Sequence, residues 1–451
     1  MKKYAILLIG IVLMICSLLN GANAQYQIPS KLAWWYDARF GMFIHLGSYS
    51  SLGHGEWAFS IENWNKADYQ EKVSTQFNPS KFDANEIVQL AKNAGMKYIV
   101  ITAKHHEGFS MWDTKVKSFK DVTGKKMYSL PRYTSFGKRD VLMELKKACE
   151  ANDIKFCLYY SILDWGHSSQ EINHIDGGTF STVKSELART AYIRDMKAQL
   201  KELIKRYHPA VLWFDGDWTY KANNPTPEKW WTKEDGIDLY NYLVKLDPDM
   251  IINERVARHF GLGDFECPEQ EVPEAPRTRQ WETCQTMNRT WGYNENDHNY
   301  KSAKTLIQEL VKVVSRDGNY LLNIGPKGDG SVPSETADTL RSMGNWMKIY
   351  GASIYGTTRS PFKTEPEWGF YTKKDGKLFA HIFSWPQNRV LSIPALTNSI
   401  QKIYLMNDPE EALDYTIEDG KIQVSLPENA PDEINSVVVI EVVGMPQAAV
   451  I

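Results

Sequence analysis

Asp215 directly follows five apolar residues, 210–214 (AVLWF), in the segment LWFDGDW. A carboxylate that ends a buried strand among aromatic rings can act as a nucleophile or a general base. The competing role, capping a helix, is opposed by Gly216 and Pro225, which make a poor helix start. Asp217 is the nearby rival but falls two residues further on, in the loop. Cleaving a glycosidic bond needs a second carboxyl: one acid protonates the leaving oxygen while the other attacks or activates water. The segment 264–276 (DFECPEQEVPEAP) supplies Asp264, Glu266, Glu269, Glu271 and Glu274. Spacing does not choose among them, and acids in a Pro-containing loop are equally the pattern of a solvated surface. Like-charge crowding beside Asp215 is expected to raise one of these carboxyls toward the range of a general acid.

His105 and His106 raise the alternative of a metal centre. Adjacent residues on a strand point to opposite faces, so only one readily joins a single coordination sphere, and no H-x-H or HExxH accompanies them. Cys149, Cys157, Cys267 and Cys284 include no CxxC. No metal is therefore expected. A turn at the strand end would let both histidines reach one pocket and bind hydroxyls; two satisfied core histidines are the plainer alternative.

These residues need elements to carry them. Short apolar runs at 40–46 (FGMFIHL), 98–102 (YIVIT), 154–160 (IKFCLYY), 210–214, 249–252 (DMII) and 320–324 (YLLNI) predict buried strands. Helical patterns at 84–93, 140–151 and 183–207 lie between them. Strand–helix alternation over some 320 residues predicts a parallel α/β domain, and no G-x-G-x-x-G follows the first strand, which leaves a (β/α)8-like TIM barrel as the best fit. Chemistry in such a barrel sits where the strands end. The polar residues there are His45, His105 and His106, Tyr159 and Asp164, Asp215, residues 253–255, and Glu282. From about residue 359 the pattern turns to short alternating segments with Asp-Gly hairpin signals at 375–376 and 419–420, which predicts a C-terminal antiparallel β-sandwich over 359–451, packed against a barrel over 25–358.

Composition narrows the function. The 451 residues are 43% hydrophobic, 12% aromatic and 24% charged, which excludes disorder, collagen and a membrane bundle. A net charge of -3 offers no basic field for nucleic acid. Fifteen Trp and 23 Tyr suit half-polar ligands such as sugars. Lys2 and Lys3, an apolar run over 5–19 and Ala22-Asn23-Ala24 read as a secretory signal over 1–24, with a mature chain from Gln25 and no membrane span in it. Bulky Ile15 before Cys16 argues against a lipoprotein. Export with Lys-Lys at the start implies a bacterial periplasm or cell surface. Four cysteines in the mature chain form no disulfide framework.

The segments WWYDARFGMFIHLGSYS, GEWAF, YIVITAKHHEGFSMW, YYSILDW, LWFDGDW, FECPEQEVP, QWETC, TWGYN and NYLLNIGPKGDGSVP resemble, in order, the glycoside hydrolase family 29 α-L-fucosidases, from about Trp34 to Tyr355. The resemblance implies a retaining exo-enzyme acting on fucosylated oligosaccharides or glycoconjugates, with no cofactor and no catalytic metal. By position it implies Asp215 as nucleophile and Glu269, in FECPEQ, as acid/base, with Glu266 and Glu271 open as rivals because this loop varies in length. Glu282, in QWETC, is read as supporting the pocket. Implied substrate contacts are His45, Glu56, Trp57, His105, His106, Tyr159 (or Tyr160), Trp213, Arg255 and Trp291. The three Trp would cover the apolar edge and C6 methyl of the sugar while the histidines bind its hydroxyls. Gln280 stands where a lysine is common, beside Arg277 and Arg279, which bears on leaving-group preference.

Overall fold

Seven strands pair side by side, all parallel: β1 (Phe40–Ile44), β2 (Tyr98–Lys104), β3 (Lys155–Ser161), then, after an antiparallel hairpin of β4 (Gln170–Ile175) and β5 (Gly178–Val183), β6 (Val211–Asp215), β7 (Ile251–Ile252), β8 (Glu282–Thr286) and β9 (Asn319–Ile324). Their order across the sheet is β7-β6-β3-β2-β1-β9-β8. The computed structural model describes residues 28–175, 178–217, 231–274 and 277–449, so the predicted leader over 1–24 lies outside the described residues, as does Pro225.

Both faces of these strands are buried, which is why they read as continuous apolar runs rather than as alternation. Phe43, Val100, Cys157, Tyr159, Val211, Trp213, Cys284 and Leu321 pack together inside the curl. Their neighbours Met42, Ile44, Ile99, Ile101, Leu158, Leu212, Phe214 and Leu322 face outward against a layer of helices. That layer includes α1 (Ala84–Asn93), α2 (Val141–Ala151), α3 (Glu186–Tyr207), α4 (Lys233–Leu246), α5 (Ala303–Ser315) and α6 (Ser334–Tyr350). The helix expected over 183–207 starts at Glu186, because the Ser185 side chain accepts from the Ala188 N–H and caps it.

The eighth stave is irregular. Between β7 and β8 the chain 264–270 runs parallel to both but is tied only by single bridges, Asn253 to Phe265, Glu266 to Trp281 and Glu269 to Cys284. Pro268 has no N–H to give to a ladder, and the stave instead offers its carbonyl to the Cys284 N–H at 3.3 Å. The acid-rich segment is thus part of the barrel wall: Phe265 and Cys267 are buried in the interior cluster, and the acids between and beyond them face elsewhere.

The C-terminal unit is two antiparallel sheets. One has six strands in the order β10 (Thr358–Arg359), β11 (Gly369–Lys374), β12 (Lys377–Ile382), β18 (Ser436–Val442), β14 (Ile400–Leu405), β15 (Asp408–Ala412). The other is β13 (Val390–Pro394), β17 (Lys421–Ser425), β16 (Tyr415–Glu418). The β16–β17 hairpin turns at Asp419 and Gly420, both at positive φ (50° and 70°), as a two-residue turn of the primed type requires. Phe379, Tyr404, Val437 and Val439 join the apolar layer of the barrel helices, and the Trp346 indole N–H donates to the Asn435 carbonyl at 2.9 Å, so the two units share one core. Among the described residues, no helix is long and apolar enough to cross a membrane.

Candidate active site

Asp215 is the last residue of β6, on the inward parity set by Val211 and Trp213. The strand cannot run on past it. Gly216 turns at φ 75°, and a Cβ there would stand 2.6 Å from the Leu163 Cβ and 2.7 Å from its N. On the other side β7 ends after two residues, and the Asn253 side chain continues the ladder, accepting from the Phe214 N–H at 2.8 Å and donating to its carbonyl at 2.9 Å. This frees residues 254–258 to turn over the strand ends and present two cations. Arg255 Nη1 donates to Asp215 Oδ1 at 2.9 Å, and Arg258 Nη2 reaches the same oxygen at 3.1 Å. Asp215 Oδ2 accepts from the Tyr159 hydroxyl at 3.3 Å and lies 3.7 Å from His106 Nε2. Burial pushes the Asp215 carboxyl up, but the Arg255 guanidinium, with Arg258 beside it, holds it well below the usual carboxylate range. It is an anion at any working pH.

Among the described residues, Glu269 is the loop acid that meets this centre: Arg255 Nη2 donates to Glu269 Oε2 at 2.8 Å. A single guanidinium fork therefore spans the two carboxylates. Glu266 turns away to Arg277, at 2.8 Å, and Glu271 is exposed, its backbone carbonyl taken by the Thr283 hydroxyl. Asp264 pairs with Lys31 at 2.7 Å. The crowding expected from the sequence is thus not bare repulsion between carboxylates, because a cation stands between them. Asp217 is buried and paired with Arg258, Nε to Oδ1 at 2.7 Å, and Asp164 is committed to Lys104 at 2.7 Å with both side chains buried.

The remaining wall is aromatic. The His45 Nδ1 lies 2.7 Å from Asn323 Oδ1, and since the Asn323 amide N–H donates to the Trp291 carbonyl at 2.7 Å, His45 must be the donor. Burial lowers His45 to about 3, so the ring is neutral with Nε2 as an acceptor. His106 is fixed in the same way: the Ser161 hydroxyl donates to the Leu163 carbonyl and accepts from His106 Nδ1 at 2.6 Å. His105 packs at 4.1 Å between ring centroids from His106 and stacks on Tyr159 at 5.6 Å, so the bulge at the end of β2 does bring both histidines to one pocket. The phenol of Tyr160, the parity alternative, points outward to Gln199 at 2.8 Å. Trp213 stacks on Tyr159 and carries the Arg255 guanidinium on its ring at 4.6 Å. Trp57 lies edge-on to His106, and Trp291 packs on His45. The Glu56 carboxylate accepts from the backbone N–H of Trp291 (2.9 Å) and Gly292 (2.8 Å), which pins the Trp291 loop. Among the described residues, no three His, Cys, Asp or Glu side chains are grouped to hold a metal ion.

Glu282 stands beneath this layer. Its Oε1 accepts from the Trp213 indole at 3.1 Å, and its Oε2 from Tyr98 at 2.5 Å and Trp35 at 3.2 Å. Tyr98 fits because residue 41 is glycine, where a Cβ would meet its ring at 2.4 Å. Burial pushes Glu282 up to about 7, against the pull of its three donors. A carboxyl raised on folding makes the native state hold a proton the unfolded chain has lost, so stability falls as pH rises from the unfolded value near 4.5 to about 7 and is then flat. Glu282→Gln is expected to abolish that slope and to cost about 1–3 kcal/mol by leaving an indole N–H unpaired. Urea unfolding of both forms at a series of pH values measures it.

Sequence reading misses Arg258, Asn323 and Ser161, which reach the pocket through their bonds to Asp215, His45 and His106. It also misses the stave, whose signal is the alternation F-E-C-P-E over 265–269, interrupted by proline.

A parallel barrel with two carboxylates at its strand ends, spanned by a cation and walled by Trp, Tyr and neutral His, is the site of a glycoside hydrolase. Residues 22–352 match the family model "Alpha-L-fucosidase", and residues 363–440 match "Alpha-L-fucosidase C-terminal domain". The chain belongs to the α-L-fucosidase family, and its activity is that of an α-L-fucosidase. It is 30% identical to mouse tissue alpha-L-fucosidase over 405 residues, covering 83% of each chain, and 29% identical to the human tissue enzyme over 433 residues, covering 89% of this chain and 86% of that one. Among solved structures it resembles alpha-L-fucosidase isoenzyme 1 from Paenibacillus thiaminolyticus, with a TM-score of 0.79 and 32% identity over 92% of this chain and 99% of that one. It also resembles a GH29 alpha-L-fucosidase from Bacteroides thetaiotaomicron trapped as a covalent intermediate with 2-fluoro-fucosyl fluoride, with a TM-score of 0.79 and 27% identity over 93% and 98% of the two chains.

Proposed function

We propose that the protein is a retaining exo-α-L-fucosidase that removes terminal fucosyl units from oligosaccharides or glycoconjugates by double displacement. The observation that carries this reading is the Arg255 fork, which holds Asp215 and Glu269 on one face of the pocket at 2.9 and 2.8 Å. Such a bridge fits the separation of about 5 to 5.5 Å that nucleophile and acid/base need in a retaining enzyme. Asp215 attacks the anomeric carbon while Glu269 protonates the departing oxygen; Glu269 then takes a proton from water as it displaces Asp215. Neutral His45 Nε2 accepts from a sugar hydroxyl, His105, His106 and Tyr159 line the same hydroxyl-bearing edge, and Trp57, Trp213 and Trp291 cover the methyl and apolar face. Arg255 keeps the acid/base carboxyl oriented, and Glu56 acts through the Trp291 loop. The leader-like sequence over 1–24 supports export to a periplasm or cell surface.

The test is the configuration of L-fucose as it is first released from an aryl α-L-fucoside, followed by NMR. The α anomer appearing first is the expected result. The β anomer first, or no release by folded protein, overturns the proposal; loss of turnover on adding a chelator would point instead to a metal-dependent hydrolase.

A further inference from the structure

The two oxygens of Asp215 are not equivalent. Oδ1 takes both guanidinium contacts, Arg255 at 2.9 Å and Arg258 at 3.1 Å, while Oδ2 faces the Tyr159 hydroxyl at 3.3 Å. Arg258 is itself locked, since its Nε and backbone N–H both donate to the buried Asp217, at 2.7 and 2.6 Å. An oxygen holding two cations has its charge drawn onto them, so the lone pair left to attack is on the other. We infer that Arg258, anchored by Asp217, is a positioning residue that selects Asp215 Oδ2 as the attacking atom and Oδ1 as the oxygen that carries charge when the intermediate breaks down.

The inference rests on the double-displacement reading above. In the first step an Oδ2 lone pair forms the bond to the anomeric carbon, the bond to the glycosidic oxygen breaks, and that oxygen takes the Glu269 proton. Oδ1 becomes the carbonyl of a neutral ester, still facing two cations. In the second step water attacks the anomeric carbon, its proton goes to Glu269, and the bonding pair returns to the carboxylate. Negative charge reappears there, so the two guanidinium groups lower the barrier to this departure more than they assist attack.

Removing Arg258 should therefore slow the second step more than the first. With an aryl α-L-fucoside, Arg258→Met is expected to lose roughly 10- to 100-fold in kcat, the worth of one charge-assisted hydrogen bond, with KM falling alongside and a pre-steady-state burst of the phenol larger than in the wild type. Asp215 is faced by Arg255, Arg258 and Asp217 on its own side, by His45, His106 and Tyr159 from β1, β2 and β3, and by Cys284 on β8. Taking Arg258 from this set leaves Asp215 paired with Arg255 and still an anion at working pH, so the effect is read in the burst and in the split between kcat and KM. Arg258→Lys should restore part of both effects, and Asp217→Asn should produce a weaker form of each. A well-folded Arg258→Met that turns over without the enlarged burst, or with KM unchanged, overturns the inference. If the wild type itself releases no fucose, the functional reading fails rather than this one.

Discussion

Asp215→Asn is expected to lower kcat on an aryl α-L-fucoside by at least about 10⁴-fold, some 5 kcal/mol of transition-state stabilisation, because an amide cannot form the ester intermediate and the second step has nothing to act on. The substitution nearly preserves shape, and the Asn carbonyl can still accept from Arg255. It nevertheless leaves Arg255 and Arg258 without the charge they share, and breaking a buried pair typically costs about 3–5 kcal/mol. Some loss of stability should accompany the loss of turnover. Thermal unfolding and a binding titration with L-fucose separate the two: the expected variant is folded, binds the sugar and does not turn over. Wild-type turnover by Asp215→Asn would remove the residue from the chemistry.

Glu269→Gln is expected to show a loss that depends on the leaving group. For a glycan the departing alkoxide must be protonated, and removing a general acid costs about 10²- to 10⁴-fold. For an aryl leaving group of low pKa the first step hardly needs the proton, so the loss falls on the water step and the covalent intermediate accumulates. Azide, which needs no general base, should then restore turnover and yield a fucosyl azide of retained configuration. Equal losses on both substrates with no rescue would return Glu266 and Glu271 to contention. Their positions make that outcome unexpected, since Glu266 is tied to Arg277 while Glu269 is the one paired with Arg255 beside Asp215.

The parts of the molecule legible in the sequence are those where one physical rule dominates. Strands buried on both faces leave unbroken apolar runs, so β1, β2, β3, β6 and β9 were readable, and with them the inward ends at His45, Tyr159 and Asp215. The β16–β17 hairpin was readable because its turn needs two positive φ values and Asp-Gly supplies them. The strand expected over 249–252 is only Ile251–Ile252, and beyond it the Asn253 side chain takes over the pairing that backbone would otherwise make, an exchange no propensity registers. The stave at 264–270 reads in sequence as a loop, because Pro268 breaks its ladder while Phe265 and Cys267 keep it in the core. Arg258 was invisible for a different reason: its function depends on meeting Asp217 and Asp215 from another turn of chain, and side-chain convergence of that kind leaves no local spacing to detect. The Arg255 bridge changed the electrostatic picture most, since the sequence suggested crowded anions and the fold interposes a cation.

The most direct measurement is the site of covalent attachment. Glu269→Gln protein treated with 2-fluoro-fucosyl fluoride, whose fluoride departs without acid help and whose fluorine slows the second step, should gain the mass of one fluorofucosyl unit. Peptide mapping should place that mass on Asp215. An adduct on Asp217 or any other residue, or no adduct on folded protein, would contradict the account.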